Sequence, residues 1–317
     1  MALRLEFGWR LPDFPETWHD DPDERAVIFR DQILNFMDTI HGHLSTIWAG
    51  DHFFPWPAEM DQSTETLEPW TLLAFLLARY PKIKMITVLG QAYRPPALVA
   101  KMASVLQLLS GGRVILGIGA GWKENEHRAY GYDFLPDKVR LDMLEEAAQV
   151  IRKMWTDAAP TFIGKYYRIQ DAYCSPRPHP PIPLLIGGFG PKRTLQIVAK
   201  YADWCNINDA GLDFCKSRLD TLREHCQTLG RDYESIVKSY IGDCVAIAPT
   251  HPEAERIRQA SIFAPYQPMV GTPDEIAAQI RSYADLGFTQ FIWRFADYPR
   301  TDGVELFIKE VLPRFEG

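Results

Sequence analysis

The sequence lacks the features that mark several common alternatives to a soluble enzyme. It has no long apolar run: the most apolar stretch, Trp70 to Ala78, falls far short of the roughly 20 residues that span a bilayer. Its first residues, Met1-Ala-Leu-Arg-Leu-Glu-Phe-Gly, lead into strand-like sequence rather than a signal peptide, so the expected compartment is the cytoplasm, with no membrane partner. Cysteine is scarce and odd in number. The five residues Cys174, Cys205, Cys215, Cys226 and Cys244 form no CxxC pair, which argues against a disulfide framework and reads as reduced, packed thiols. Positive charge is not in excess either: a net charge of −7 gives no basis for nucleic-acid binding, which needs clustered cations, so any anion site is local. No HExxH, GxSxG or P-loop occurs, and no lysine closes a predicted strand as a Schiff-base aldolase requires. His41-Gly-His43 has metal-pair spacing, but it precedes a strand and has no carboxylate nearby, so no metal is expected.

What remains is 46% hydrophobic and 24% charged, an ordinary globular balance. Short β-branched or apolar runs alternate with longer amphipathic ones to the C-terminus, with no linker or low-complexity break. The predicted strands are Leu3–Trp9, Thr46–Gly50, Ile83–Leu89, Val114–Ile118, Pro183–Gly187, Trp204–Ile207, Ile241–Ala248 and Gln290–Phe295. The predicted helices are Glu24–Ile40, Pro69–Arg79, Pro95–Leu109, Lys138–Trp155, Lys192–Tyr201, Phe214–Gly230, Pro273–Leu286 and Val304–Arg314, several opened by proline in the first turn. Eight βα units predict an α/β fold of the (β/α)₈ TIM-barrel class, one domain over 1–317, in preference to an open doubly wound sheet. Two insertions break the rhythm, His52–Glu68 and Thr161–Pro181; the second reads as a hairpin around Gly164-Lys165. The first lies on the strand-end side, where barrel active sites are built.

Three strand exits carry candidate chemistry. After strand two, Trp48-Ala-Gly-Asp51-His52-Phe53-Phe54-Pro55-Trp56 sets a titratable imidazole beside an acid in an apolar rim, a setting for proton transfer near neutrality; the plainer reading is a loop histidine bonded to backbone. After strand four, Gly117-Ile-Gly119-Ala-Gly121-Trp122 permits close approach to a flat or phosphorylated ligand, and Asn125 offers an amide to a ring carbonyl. The spacing is not GxGxxG, and barrel packing alone accounts for such glycines as readily. After strand five, Gly187-Gly188-Phe189-Gly190-Pro191-Lys192-Arg193 opens a helix, whose free N–H groups beside two cations suit a phosphate; the plainer reading is a glycine turn with two solvated basic residues.

Taken together, Gly50-Asp51-His52-Phe53 with Pro55-Trp56, Tyr93-Arg94-Pro95-Pro96-Ala97, Gly119 through Gly131, Gly164-Lys-Tyr-Tyr through Cys174-Ser-Pro-Arg-Pro, and Leu185 through Thr194 resemble the luciferase-like oxidoreductase superfamily, specifically its branch that uses the deazaflavin coenzyme F-420. The resemblance runs from Leu3 to about Asn206. It implies that Asp51 and His52 flank the reactive edge of the cofactor ring, with His52 exchanging a proton as hydride moves, and that Trp56 caps the pocket. It implies a non-prolyl cis peptide at Thr87-Val88 behind the ring, Gly119, Gly121 and Asn125 beside the ring or ribityl chain, the turn Gly187, Gly188, Phe189, Gly190 at the phosphate, and Lys192 and Arg193 at the anionic tail. Homodimers are common in the family. The sugar-phosphate dehydrogenases of this branch carry a catalytic Glu where this chain has Trp122, and their phosphate-binding lysines find no match here. A larger, more apolar organic substrate therefore suits the expected walls Trp9, Trp56, Trp122, Phe189 and Trp293. The expected activity is an F-420-dependent oxidoreductase acting on an alcohol or carbonyl, enone or imine. The alternatives are an FMN monooxygenase using reduced flavin and oxygen, and a non-catalytic flavin-binding paralogue.

Overall fold

The computed structural model describes residues 4–17, 19–57, 60–90, 92–208, 210–266 and 268–315. The elements in chain order are β1 (Glu6–Arg10), α1 (Pro22–Ile40), β2 (Thr46–Gly50), α2 (Pro69–Arg79), β3 (Lys84–Gly90), α3 (Pro96–Ser110), β4 (Val114–Gly119), α4 (Glu124–Ala129), α5 (Asp137–Thr156), the short hairpin β5 (Phe162–Ile163) and β6 (Arg168–Ile169), β7 (Leu184–Gly187), α6 (Thr194–Tyr201), β8 (Trp204–Asn208), α7 (Leu212–Leu229), β9 (Val237–Ile247), α8 (His251–Ala260), β10 (Met269–Gly271), α9 (Pro273–Ala284), β11 (Gln290–Phe295) and α10 (Asp302–Glu310). Eight of these strands pair in parallel in the order β9-β11-β1-β2-β3-β4-β7-β8, and β8 pairs back onto β9, closing the (β/α)₈ barrel. All eight expected strands are present; the part of the first expectation that begins at Leu3 lies outside the described residues. Among the described residues no helix is long and apolar enough to cross a membrane.

Alternation along the strands sorts the side chains into two cores. Trp48, Ile86, Ile115, Leu185, Ile241 and Ile292 point inward and fill the barrel. Their neighbours along each strand point outward into the layer beneath the helices, and that is where Trp9 and Trp293 lie. Trp9 stacks on Phe36 of α1 at 4.4 Å between ring centroids, and Trp293 meets Phe307 of α10 at 5.6 Å. Neither tryptophan lines the mouth, so both drop out of the expected substrate wall.

Three elements escape a reading of the sequence. Helix α8, His-Pro-Glu-Ala-Glu-Arg-Ile-Arg-Gln-Ala, buries only Ala254, so it has little apolar stripe to read. Strand β10 is three residues long and extends the outer end of β9. Helix α4 is a single short segment directly after the β4 glycines. The insertion 161–181 does form the expected hairpin, and its carbonyls brace α3: Gln107 donates to Pro180 O at 2.8 Å, and Lys101 and Ser104 donate to Ser175 O and Pro176 O.

Candidate active site

The mouth is built from the loops that leave the C-terminal ends of the strands. Asp51 is the first residue after β2, and its carboxylate is fully used: it accepts from Gly90 N at 2.8 Å and from Arg94 Nη1 at 2.8 and 3.1 Å. Arg94 also binds Glu68 at 2.5 Å, so one guanidinium ties both ends of the β2 loop to the end of β3. Burial pushes the Asp51 carboxyl up in pKa, against the opposing pull of Arg94 and the Gly90 N–H. Asp51 thus holds the loop to the end of β3.

His52 has the geometry expected of a proton-transfer residue, and its partner is one that no sequence motif singles out. Its Nδ1 lies 3.1 Å from Oε2 of Glu126, a side chain 1% exposed. Glu126 sits in the first turn of α4 and gathers further donors: Phe53 N at 2.5 Å, Phe54 N at 3.3 Å and Tyr93 Oη at 3.2 Å. Burial alone would raise its pKa, but the His52 hydrogen bond and charge, the Phe53 N–H and the Lys123 ammonium outweigh burial and hold it below the ordinary carboxylate value. An ionised carboxylate only accepts, so Nδ1 of His52 carries the hydrogen and Nε2 is the nitrogen left for a substrate. The opposite effect falls on Tyr93, whose phenol is pushed up by burial and by Glu126. Lys123 closes this side by donating to Phe54 O at 3.3 Å and to Pro55 O. Trp122 stands edge-on to the His52 ring at 5.5 Å and is 61% exposed, at the rim. The available signal is a glutamate, Glu126, a little over one helical turn beyond the glycine exit; the amide of Asn125 draws attention instead.

The expected cofactor residues divide. Thr87 faces outward, its hydroxyl donating to Ala49 O at 3.3 Å, whereas Val88 faces the barrel interior. The peptide between them is not cis: the cis bonds among the described residues are Ser175–Pro176, His179–Pro180 and Tyr298–Pro299. Here β3 runs on as regular ladder, with Thr87 and Val88 paired to Ala49 and Gly50 on one side and to Leu116 and Gly117 on the other. Gly187 is required by packing, since a Cβ there would come within 2.6 Å of Val88 Cγ1. Gly119 is less crowded, with Val88 Cγ1 at 3.3 Å, and Gly121 and Gly188 hold the left-handed φ values of +78° and +103°. Phe189 packs edge-on to Phe214 at 5.3 Å, and Gly190 lies against Thr194 at the start of α6. Arg193 turns away to α5, where it pairs with Asp142 at 2.7 Å and Glu145 at 3.5 Å, so it is not poised at the turn. Lys192 is exposed there. Asn125 is exposed, and its Oδ1 accepts from Glu126 N at 3.0 Å.

The other side of the mouth, formed by β1, β9 and β11, carries charges that no motif announces. Arg294 of β11 is 1% exposed and is bonded to Asp13 through Nη2. Arg10 at the end of β1 lies 3.5 Å from Asp243 of β9 and 5.1 Å over the Trp48 ring. In the β1 loop, the Oε1 atom of Glu16 is buried without a hydrogen-bond partner among the described residues, and burial pushes that carboxyl up to about 8. The indole N–H of Trp56 is buried without a partner among the described residues as well, while its ring meets Tyr266 edge-on at 5.2 Å. Buried polar atoms are nearly always bonded in native proteins, so orphans gathered at a strand-end mouth point to a ligand or water that completes them.

Comparison with known proteins agrees with this geometry. The luciferase-like monooxygenase family model matches residues 43–269, well over half of the chain. The F-420-dependent glucose-6-phosphate dehydrogenase of Amycolatopsis mediterranei is 27% identical over 313 residues, covering 86% of this chain and 91% of that protein. The FMNH(2)-dependent dimethylsulfone monooxygenase of Pseudomonas putida is 25% identical over 286 residues, covering 78% of each chain. Among solved structures, an F-420-dependent secondary alcohol dehydrogenase in complex with an F-420–acetone adduct superposes with a TM-score of 0.81 at 20% identity, over 99% of this chain and 100% of that one. The closed barrel, the strand-two histidine at its mouth and this extended match have one reading: the chain belongs to the luciferase-like monooxygenase family.

Proposed function

We propose that this protein is an F-420-dependent oxidoreductase that interconverts an alcohol and a carbonyl compound, or reduces a related C=C or C=N bond, with His52 as proton donor and acceptor. The observation that carries this reading is the His52–Glu126 pair, which fixes one ring nitrogen and leaves the other at the barrel mouth. The residues present suit a flat ring with a phosphorylated tail. Inward-facing Gly119 and Gly187 leave the β4 and β7 ends free of side chains, and the Gly188–Gly190 turn leads into α6 with Lys192 exposed nearby. The deazaflavin, when bound, supplies or accepts the hydride.

The chain's own residues handle the proton. His52 Nε2 takes it from the substrate hydroxyl in oxidation and returns it in reduction, while Glu126 stabilises the imidazolium through Nδ1–H. The Trp56 indole N–H donates to the substrate oxygen. Glu16, held protonated near neutrality by burial, is the second group able to donate a proton there. Trp122 in place of an acid leaves the exposed rim apolar, in keeping with an organic substrate.

Equilibrium titration with the deazaflavin and with FMN tests the assignment: tight deazaflavin and weak FMN binding are expected, and the reverse would move the protein to the FMN monooxygenases, the second reading favoured by the dimethylsulfone monooxygenase relative. Turnover unchanged in His52→Ala would overturn the assignment of His52 as the proton-transfer residue, and binding of a flavin without turnover of any substrate would leave the non-catalytic reading. The chain also pairs as a homodimer in this proposal. Phe75 of α2 and Leu98, Val105 and Leu109 of α3 are exposed, Leu109 by 76%, and the α3 residues recur at helical spacing. Leu109→Glu is expected to convert the dimer to monomer by light scattering.

A further inference from the structure

Arg294 is placed where a structural ion pair alone does not account for it. It stands two residues after Ile292 on β11, on the strand face that fills the barrel, so its guanidinium rises from the interior core toward the mouth. Its side chain is 1% exposed, yet only Nη2 is bonded, to Asp13; Nε and Nη1 are buried without partners among the described residues. The Glu16 carboxyl, whose Oε1 is likewise buried and unpartnered among them, acts electrostatically on Arg294. One wall is aromatic: the Arg294 guanidinium lies 4.7 Å from the Phe263 ring, in the cluster that Trp56 and Tyr266 pack against. Donors left open at the base of an aromatic wall form the pattern of a ligand subsite.

The charges select what enters. Arg294 is paired with Asp13 and Arg10 with Asp243, while Glu16, held protonated by burial, adds no charge. The two guanidiniums are therefore already matched by carboxylates, and a phosphate or carboxylate would bring one more negative charge into a buried, compensated cluster. The open valences of the guanidinium, Nε–H and Nη1–H, are donors, so the complementary group is an uncharged acceptor. We propose that Arg294 is a specificity-determining residue: it binds a second, neutral oxygen function of the substrate, a carbonyl, hydroxyl or ether remote from the reacting carbon. This rests on the oxidoreductase reading and narrows its substrate to non-phosphorylated, non-acidic compounds bearing two oxygen functions.

The test uses the cofactor-free full chain and three probes: cyclohexane-1,4-dione, cyclohexanone and 4-oxopentanoate. The readout is the ¹⁵N–¹H resonance of Arg294 Nε, identified by its loss in Arg294→Lys. The dione is expected to shift that resonance and to saturate at a concentration at least tenfold below that of cyclohexanone, with 4-oxopentanoate weakest. Because the variants lack that resonance, their affinities and those of the wild type are compared by isothermal titration calorimetry: in Arg294→Lys, and in the charge-neutral double variant Arg294→Met with Asp13→Asn, the tenfold preference is expected to vanish while cyclohexanone binding stays within twofold. Saturation by 4-oxopentanoate below the dione, retention of the preference in both variants, or a resonance that no probe moves would each overturn the proposal. Deazaflavin binding is measured separately, so a protein that prefers FMN yet favours the dione through Arg294 would refute the cofactor assignment and leave this one standing.

Discussion

The two sides of the barrel mouth handle buried charge in opposite ways. On the β2–β4 side, one carboxylate, Glu126, is saturated by four donors and stays ionised. On the β1–β11 side, Glu16 and Arg294 keep open valences, and the Glu16 carboxyl is pushed up to about 8. A saturated site is already organised and sets the direction of a catalytic group without help from a ligand. An unsaturated one is costly until something polar arrives, so it discriminates among arrivals. Under the proposed function, the first side orients His52 and the second recognises the substrate.

The comparison breaks most visibly at His52. His52→Ala is expected to lower turnover by roughly 10²–10⁴-fold with cofactor affinity nearly unchanged, since general acid–base catalysis contributes about that much. A loss carried wholly by KM would move His52 from chemistry to binding. Arg94→Ala strikes the same side through its frame. It leaves Asp51 buried without its guanidinium and is expected to cost about 3–5 kcal/mol of stability by chemical denaturation, with partial recovery on adding Asp51→Asn. Little or no change in denaturation midpoint would mean that the β2 loop is held by other contacts.

Glu126→Gln separates orientation from charge. The amide can still bond Nδ1 but no longer dictates which nitrogen of His52 carries the hydrogen, so turnover is expected to fall by at least about 10–100-fold, the cost of losing the carboxylate partner of a metal-bound histidine, and by up to roughly 10⁴-fold if the wrong tautomer dominates. The nitrogen shifts of His52 should change from one tautomer to a mixture. A fall in turnover with an unchanged tautomer would assign Glu126 to fold stability alone.

These sides also differ in how much the sequence discloses. Barrel, strand order and His52 are legible because strand alternation, proline-led helices and the strand-end position of Gly-Asp-His-Phe are local patterns. Glu126 is not, since its role depends on α4 folding back over the β2 loop, 74 residues away from His52 in the chain. Arg294, Asp13 and Glu16 are further removed still: Arg294 and Asp13 are separated by 281 residues and meet only when β11 closes on β1. Trp9 and Trp293 mislead for a related reason. Their aromatic character suits a pocket, but the parity of the strand decides whether a residue faces the mouth or the helices, and parity is fixed by register.

Glu16 offers the finest test of the unsaturated side, because its contribution fades as pH rises. In the unfolded chain its carboxyl titrates near 4.5, and in the folded protein burial raises it to about 8. Between those values the folded state holds a proton that the unfolded state has released, so stability from this group is complete below about 4.5 and is lost as pH rises through 8. Glu16→Gln cannot ionise and removes that dependence. The variant is expected to gain stability relative to the wild type on going from pH 5 to pH 8, each kcal/mol of difference appearing as about 2–4 °C in Tm. Most of Glu16 as a residue is only partly covered, while the Oε1 atom is inaccessible, so it is the carboxyl end that titrates against the cluster. Parallel pH profiles for the two proteins would mean that Glu16 ionises freely at neutral pH. It would then serve as a charge partner of Arg294 rather than as a protonated acid, and the donor opposite His52 would have to be sought elsewhere.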